Sequence, residues 1–345
     1  MNNTSDTEAD RFAYYYNILR LYHGSYIWVL AAFGVPGNVA CILTVATMTL
    51  TTATVYVVLL AAADLAALVL KVIFHQIYYH EVPVNTYLCK GDVLVQVVSC
   101  YANWTLVLIC FERFLAVCYP LRRNAYFTTR KAIVIAALLG LTLCLCLLYG
   151  FINIDKKGSG DCDYPEFVKT YWSWIVASIY FFLPFILLSI FTCLIIVSLR
   201  QQRKTREAIR ATTQSTSGRT AEARVEQTIC IMMVCAAIVF LILTLPTCIY
   251  HLITLSDTIN AETIEKIFTW SMFQQLAISL SEANHAVNFY IYFLSAKRFR
   301  SRFKELMKKC FSVHLRRDSE SSCVGYTLKT QSSVLPETSR SEAKM

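Results

Sequence analysis

Seven predominantly apolar runs, each long enough to cross a bilayer, constrain this chain more than any other feature of its sequence. About 20 residues of helix span a hydrocarbon core of about 30 Å. The runs are Tyr26–Met48, Thr54–Phe74, Tyr87–Tyr119, Ala132–Phe151, Tyr171–Leu199, Ile229–Leu252 and Ile267–Leu294. The third is interrupted by Asp92, Gln96, Asn103, Glu112 and Arg113. Polar groups inside a membrane are expensive and usually face a bundle interior or a cavity, so these interruptions mark inward positions. The composition agrees: 56% of the residues are hydrophobic and 16% charged, against about 25% charged in soluble domains. A water-soluble globule could not cover that much apolar surface, and disorder requires low hydrophobicity. The expected fold is an all-α membrane protein, a seven-transmembrane helix bundle.

The net charge of +9 would suit a nucleic-acid binder, but its distribution excludes one. Four basic residues lie between the third and fourth runs, seven between the fifth and sixth, and twelve after Leu294, so 23 of the 32 Lys and Arg fall on one face. The positive-inside rule makes that face cytoplasmic, which puts the N-terminus outside and the C-terminus inside. Residues 1–25 carry Asp6, Glu8, Asp10 and Arg11 and no apolar core; they read as an extracellular segment and not as a cleavable signal. Asn2 and Asn3 begin two overlapping N-glycosylation acceptors on that segment. Of the 14 cysteines, most sit in apolar runs and read as small buried hydrophobes. Cys89 and Cys162 lie at outer positions, where the environment is oxidising, and a disulfide between them is expected.

On the inner side, residues 201–224 read either as a solvated linker or as extensions of the flanking helices. Residues 295–310 form a short eighth helix with Phe299, Phe303, Leu306 and Met307 at helical spacing among Lys and Arg, the pattern of a basic amphipathic helix on the membrane surface. Cys310 at its end is a candidate for palmitoylation. Residues 311–345 read as a flexible cytoplasmic tail, with serines beside acids that suit phosphorylation. The bundle itself spans residues 26–294.

Glu112-Arg113-Phe114, followed by Leu115-Ala116-Val117-Cys118-Tyr119-Pro120-Leu121-Arg122, closely resembles the inner end of helix three in rhodopsin-like G protein-coupled receptors. Gly37-Asn38-Val39, Leu60-Ala61-Ala62-Ala63-Asp64, Pro184, Pro246 and Asn288-Phe289-Tyr290-Ile291-Tyr292 follow the order of the same family's motifs. Asn288-Phe289 and Trp104 are similar to invertebrate neuropeptide receptors of the FMRFamide-receptor type. The departures are specific. The fourth run lacks the usual tryptophan, Leu243-Thr244-Leu245-Pro246 stands where many members have Cys-Trp-x-Pro, Phe289 replaces a proline, and Thr192 replaces a tyrosine. The spacing from Cys89 to Arg113 is one residue short, which predicts a local irregularity in helix three.

The resemblance implies a receptor that activates heterotrimeric G proteins through outward movement of helix six, with arrestin and receptor kinases as further partners. It assigns Glu112, Arg113, Glu226, Asn288 and Tyr292 to switching and G protein coupling. Arg113 is a permanent cation in need of a partner, and a bridge to Glu112 and Glu226 would latch helices three and six. Asp64 in the middle of an apolar helix needs cation or hydrogen-bond partners, for which Asn38, Asn284 and Asn288 are the candidates. In related receptors this cluster holds a sodium ion with bridging water. Here Ala102 stands where a serine ligand is common, and His285 is nearby. No other cofactor is implied.

Val95 occupies the position where amine receptors carry an aspartate, and the seventh run has Glu282 and no lysine for retinal attachment. What remains for the outer mouth is Lys71, Gln76, Asp92, Gln96, Ser99, Trp172, Trp174, Tyr250, His251, Gln274 and Glu282. Such mixed polar and aromatic lining suits a peptide terminus better than a lipid tail. Glu282 has two readings, as the partner of Lys71 or as the holder of a ligand arginine. An orphan or constitutively active receptor for a non-peptide ligand is the alternative. A transporter would show an internal repeat and broken half-helices, and an enzyme a converging catalytic set; the sequence offers neither.

Overall fold

The computed structural model describes residues 2–80, 82–83, 85–119, 128–156, 162–163, 166–212, 219–255, 263–310 and 312, with no side-chain description for 2–9, 156, 163, 166–170, 173, 206–212, 219–229 and 255. Asn2, Asn3 and Glu226 therefore have no described side chains, and the tail beyond residue 312 lies outside the described residues. In chain order come α1 (Asn2–Ala46), α2 (Thr52–Tyr79), α3 (Thr86–Cys118), α4 (Thr129–Asn153), β1 (Asp155–Lys156), β2 (Cys162–Asp163), α5 (Glu166–Ala177), a π-helical turn (Ser178–Phe182), α6 (Leu183–Thr212), α7 (Arg219–Leu255), α8 (Ile264–Ser295) and α9, residues 297–310. The fifth span is α5, the π turn and α6 read as one rod; α7 and α8 are the sixth and seventh.

Among the described residues six helices are long and apolar enough to cross a membrane. The seventh, α8, has 32 residues and so is long enough, but Gln274, Gln275, Glu282, Asn284, His285 and Asn288 lower its hydropathy. Those polar groups are the ones the bundle needs inside. With lipid as apolar as leucine, such helices associate through close packing and interhelical hydrogen bonds. Ala61, Ala63 and Ala67 of α2 and Ala102 of α3 are buried at such contacts. Leu138, Leu141 and Leu145 of α4 are more than half exposed, the outward face of a helix whose solvent is hydrocarbon. α3 packs against α2, α4, α6 and α7, while α1 lies along α2 and α8.

Threonine and asparagine set the starts of the helices. Thr51 and Thr54 form a reciprocal capping box on α2, Asn85 accepts from Leu88 N at 2.9 Å on α3, and Thr128 and Thr263 cap α4 and α8. The two-residue strands pair antiparallel, Asp155 opposite Asp163 and Lys156 opposite Cys162. That hairpin brings Cys162 to Cys89, and the two form a disulfide with Cα atoms 5.4 Å apart.

Three features differ from the sequence reading. Residues 2–25 are helical, the first turns of α1, a helix of 45 residues and about 68 Å. No proline breaks them, and one face is held on α8: Arg11 pairs with Glu265 at 3.2 Å, Tyr15 stacks on Phe268 at 4.3 Å, and Tyr22 bonds Ser279. Next, α3 is one uninterrupted α-helix; the irregularity lies across from it, in the π turn of the fifth span. A π turn leaves carbonyls free for side chains. Ile179 O accepts from Trp104 Nε1 at 2.9 Å, and Tyr180 O accepts from Asn103 Nδ2 at 3.3 Å. Finally, Phe289 is a hub: its ring centroid lies 5.8 Å from that of Phe299 and 5.2 Å from that of Phe303. The apolar face of α9 is thus docked on α8 through the residue that stands where relatives have proline. Arg300 Nη1 donates to Leu294 O at 2.5 Å and closes the C-terminus of α8.

Candidate functional site

The bundle holds three polar centres along its length, and α3 and α2 position all of them. At one end Glu112 and Arg113 are 1% and 4% exposed, buried under the C-terminal turns of α3. Arg113 Nη2 lies 2.5 Å from Glu112 Oε2, and Thr52 Oγ1 donates to Glu112 Oε1 at 2.9 Å. The carboxylate thus neutralises its sequence neighbour and ties α3 to the first turn of α2. The side chain of Glu226, the third member expected here, lies outside the described residues. Beside this pair, Gln202 Nε2 donates to Val117 O at 2.9 Å, and Cys118 meets Ser198 at 3.0 Å, fastening α3 to α6.

Midway along α2, Asp64 is buried with both oxygens engaged. His285 Nδ1 lies 2.8 Å from Oδ1, and Asn288 Nδ2 donates to Oδ2 at 2.7 Å. Asn284 and Asn38, expected as direct partners, bond elsewhere. Asn284 Nδ2 donates to Thr244 Oγ1 at 3.0 Å, and Asn38 Nδ2 donates to His285 O at 2.8 Å. Asn38 therefore supports the shell by fixing the backbone that carries His285. Tyr292, one helical turn beyond Asn288, is 1% exposed, and its hydroxyl has no hydrogen-bond partner among the described residues.

Seven residues further along α2, about 10 Å towards the disulfide end, Lys71 Nζ meets Glu282 Oε1 at 3.4 Å. Their side chains are only 11% and 16% exposed. Tyr180 and Asp92 face Lys71, and Tyr26 faces Glu282. Of the two readings of Glu282, the structure shows the pair with Lys71. The side chains expected at the mouth on that side are aromatic and amide-bearing. Tyr250 stacks on Trp270 at 5.1 Å, His251 lies 5.0 Å from Phe181, and Gln76 bonds His75 at 3.2 Å. Gln96 and Gln274 are half-buried on α3 and α8, and Ser99 is buried.

Trp172 does not belong to the mouth. It is 7% exposed and packs on α4, against Leu147, Tyr149 and the bare backbone of Gly150. Any larger residue at 150 would strike the indole, so the glycine is what admits it. Trp174, two residues on, is 41% exposed. Two neighbours of the mouth were missed in the sequence, Trp270 and Tyr180. Trp270 was legible as an aromatic near the start of the seventh run. Tyr180 was not, because the π turn alters which side of the fifth span it occupies.

A buried Glu-Arg pair at one end, a disulfide-capped polar mouth at the other and an acid-centred network between them define a seven-helix membrane receptor. Residues 37–292 match the family described as 7 transmembrane receptor (rhodopsin family), and the chain belongs to that family. A probable G-protein coupled receptor of Caenorhabditis elegans is 24% identical over 325 residues, covering 84% of this chain and 70% of that protein. The chain is accordingly a multi-pass membrane receptor coupled to G proteins, not an enzyme.

Proposed function

We propose that this receptor lies in the plasma membrane with its N-terminus outside and its C-terminus in the cytoplasm, binds a short neuropeptide at the disulfide end, and activates a heterotrimeric G protein through outward movement of the sixth span. The placement of 23 of the 32 basic residues on the Arg113 side supports the orientation. The observation that carries the ligand reading is the Lys71–Glu282 pair at the floor of an aromatic, amide-rich mouth. Two opposite charges held side by side suit a ligand that carries both polar backbone and a charged side chain, as an amidated peptide with arginine does. The similarity of Trp104 and Asn288-Phe289 to FMRFamide-type receptors points the same way. In this reading Asn2 and Asn3 carry glycans, Cys310 an acyl chain, and residues 311–345 the sites for receptor kinases and arrestin.

A panel of short amidated peptides, read through calcium or cyclic AMP in cells expressing the receptor, tests it. At least one arginine-containing peptide is expected to act. Lys71→Met/Glu282→Gln, which removes both charges without stranding either, then costs it about 10- to 100-fold in potency, the worth of one charge-assisted hydrogen bond, while arginine-free peptides lose much less. A response confined to amines or lipids would refute the reading.

At the other end, Glu112→Gln removes the carboxylate that neutralises Arg113. Freed of that charge-assisted contact, the closed arrangement loses about 1.5 to 3 kcal/mol. Ligand-independent nucleotide exchange on added G protein is expected to rise about tenfold at matched surface expression. An unchanged basal rate would mean that the pair does not restrain the receptor.

A further inference from the structure

We infer that Asp64 is served by the imidazole of His285 in place of a sodium ion, and that this receptor is insensitive to sodium. The inference rests on the geometry at Asp64 alone and is independent of the ligand reading. A hard cation needs several oxygen lone pairs around it, and the two side chains that meet Asp64 do so through nitrogen. Both carboxylate oxygens are taken, Oδ1 by His285 Nδ1 at 2.8 Å and Oδ2 by Asn288 Nδ2 at 2.7 Å. An N–H aimed at the carboxylate occupies the space a cation would use and repels it. Neither donor is loose: His285 is 2% exposed, and its carbonyl is held by Asn38 Nδ2 at 2.8 Å. Asn284 spends its amide on Thr244, and Ala102, fully buried, presents a methyl group with no lone pair. The cavity left between Asp64, Ala102, Asn284 and Phe240 is about 10 Å³, the lower limit for a single water and too small for a cation with its own water shell.

The consequence is mechanical. A diffusible ion would make the contact between α2 and α8 depend on the bath. Here the counter-group is part of α8, so Asp64 fastens the second span to the seventh at any sodium concentration.

Purified receptor in lipid nanodiscs is heated in about 150 mM sodium chloride and, separately, in choline chloride at the same ionic strength. The wild type is expected to melt at the same temperature in both, within about 1 °C. His285→Ser opens the cavity and supplies an oxygen, and its melting temperature is expected to be about 2–5 °C higher in sodium than in choline. The double variant Ala102→Ser/His285→Ser serves if the single variant does not fold. Equilibrium binding of radioactive sodium to the wild type gives a readout that needs no variant. Saturable binding abolished by Asp64→Asn would overturn the inference. So would a sodium-dependent melting temperature in the wild type, or a folded His285 variant indifferent to sodium.

Discussion

Replacing Lys71 with methionine is expected to cost this receptor more than replacing Lys71 and Glu282 together. The two side chains are 11% and 16% exposed and 3.4 Å apart on different helices. Removing one partner of a buried pair strands the other charge, at a cost of about 3–5 kcal/mol. In a protein of this size that lowers the melting temperature by about 5 °C. Lys71→Met/Glu282→Gln removes both charges, and such replacements are often close to neutral. The double variant should therefore melt near the wild type, with a coupling of at least about 2 kcal/mol between the sites. Lys71→Glu/Glu282→Lys re-forms the pair in reverse and should recover most of the loss. Thermal melting and surface expression read the wild type, Lys71→Met, Glu282→Gln and the two double variants. Additive single losses would show that the two groups are solvated separately. If the double variant is stable but loses response to an arginine-containing peptide, the pair's role lies in recognition, and its place on the floor of the mouth explains why charge is kept there.

The seven spans were legible because a bilayer demands long apolar runs and imposes that demand on sequence directly. Asp64, Glu112, Arg113 and Glu282 were legible as inward-facing for the complementary reason, since a charge inside such a run is costly enough to need a partner within the bundle. The partners of those charges were not. Asp64 finds His285 across 221 residues, and one sequence says neither which face of α8 turns inward nor that Asn38 will bond a backbone carbonyl. Trp172 illustrates the same limit. Its side of the fifth span depends on where the helix widens, and the π turn at Ser178–Phe182 shifts the phase between α5 and α6. The short Cys89–Arg113 spacing signalled an irregularity, but α3 stays regular. The structure instead widens the fifth span, whose freed Ile179 carbonyl receives the Trp104 indole. The helical start of α1 was hidden because Asp, Glu, Thr and Asn near a terminus read equally as a solvated segment; contact with Glu265, Phe268 and Ser279 of α8 decides for helix.

Cys89→Ser, Cys162→Ser and the double variant are expected to lose stability equally, because one bond is broken in each. The bond closes a loop of 73 residues, and the chain-entropy account assigns such a closure about 4 kcal/mol. The hairpin it holds is short. β1 and β2 have two residues each, and the ties among the described residues include Thr86 Oγ1 donating to Asp155 Oδ1 at 2.5 Å and the packing of Ile154 against Val93. Melting temperature should fall by about 6 °C in all three variants, with surface expression falling in parallel. A reductant added to the wild type should reproduce the shift and leave the double variant unmoved. Ligand response should fall further than stability alone accounts for, since Cys89 lies near the start of α3, three residues before Asp92. If the double variant instead costs the sum of the singles, each sulfur is stabilising through its own packing, and the hairpin does not depend on the covalent tie.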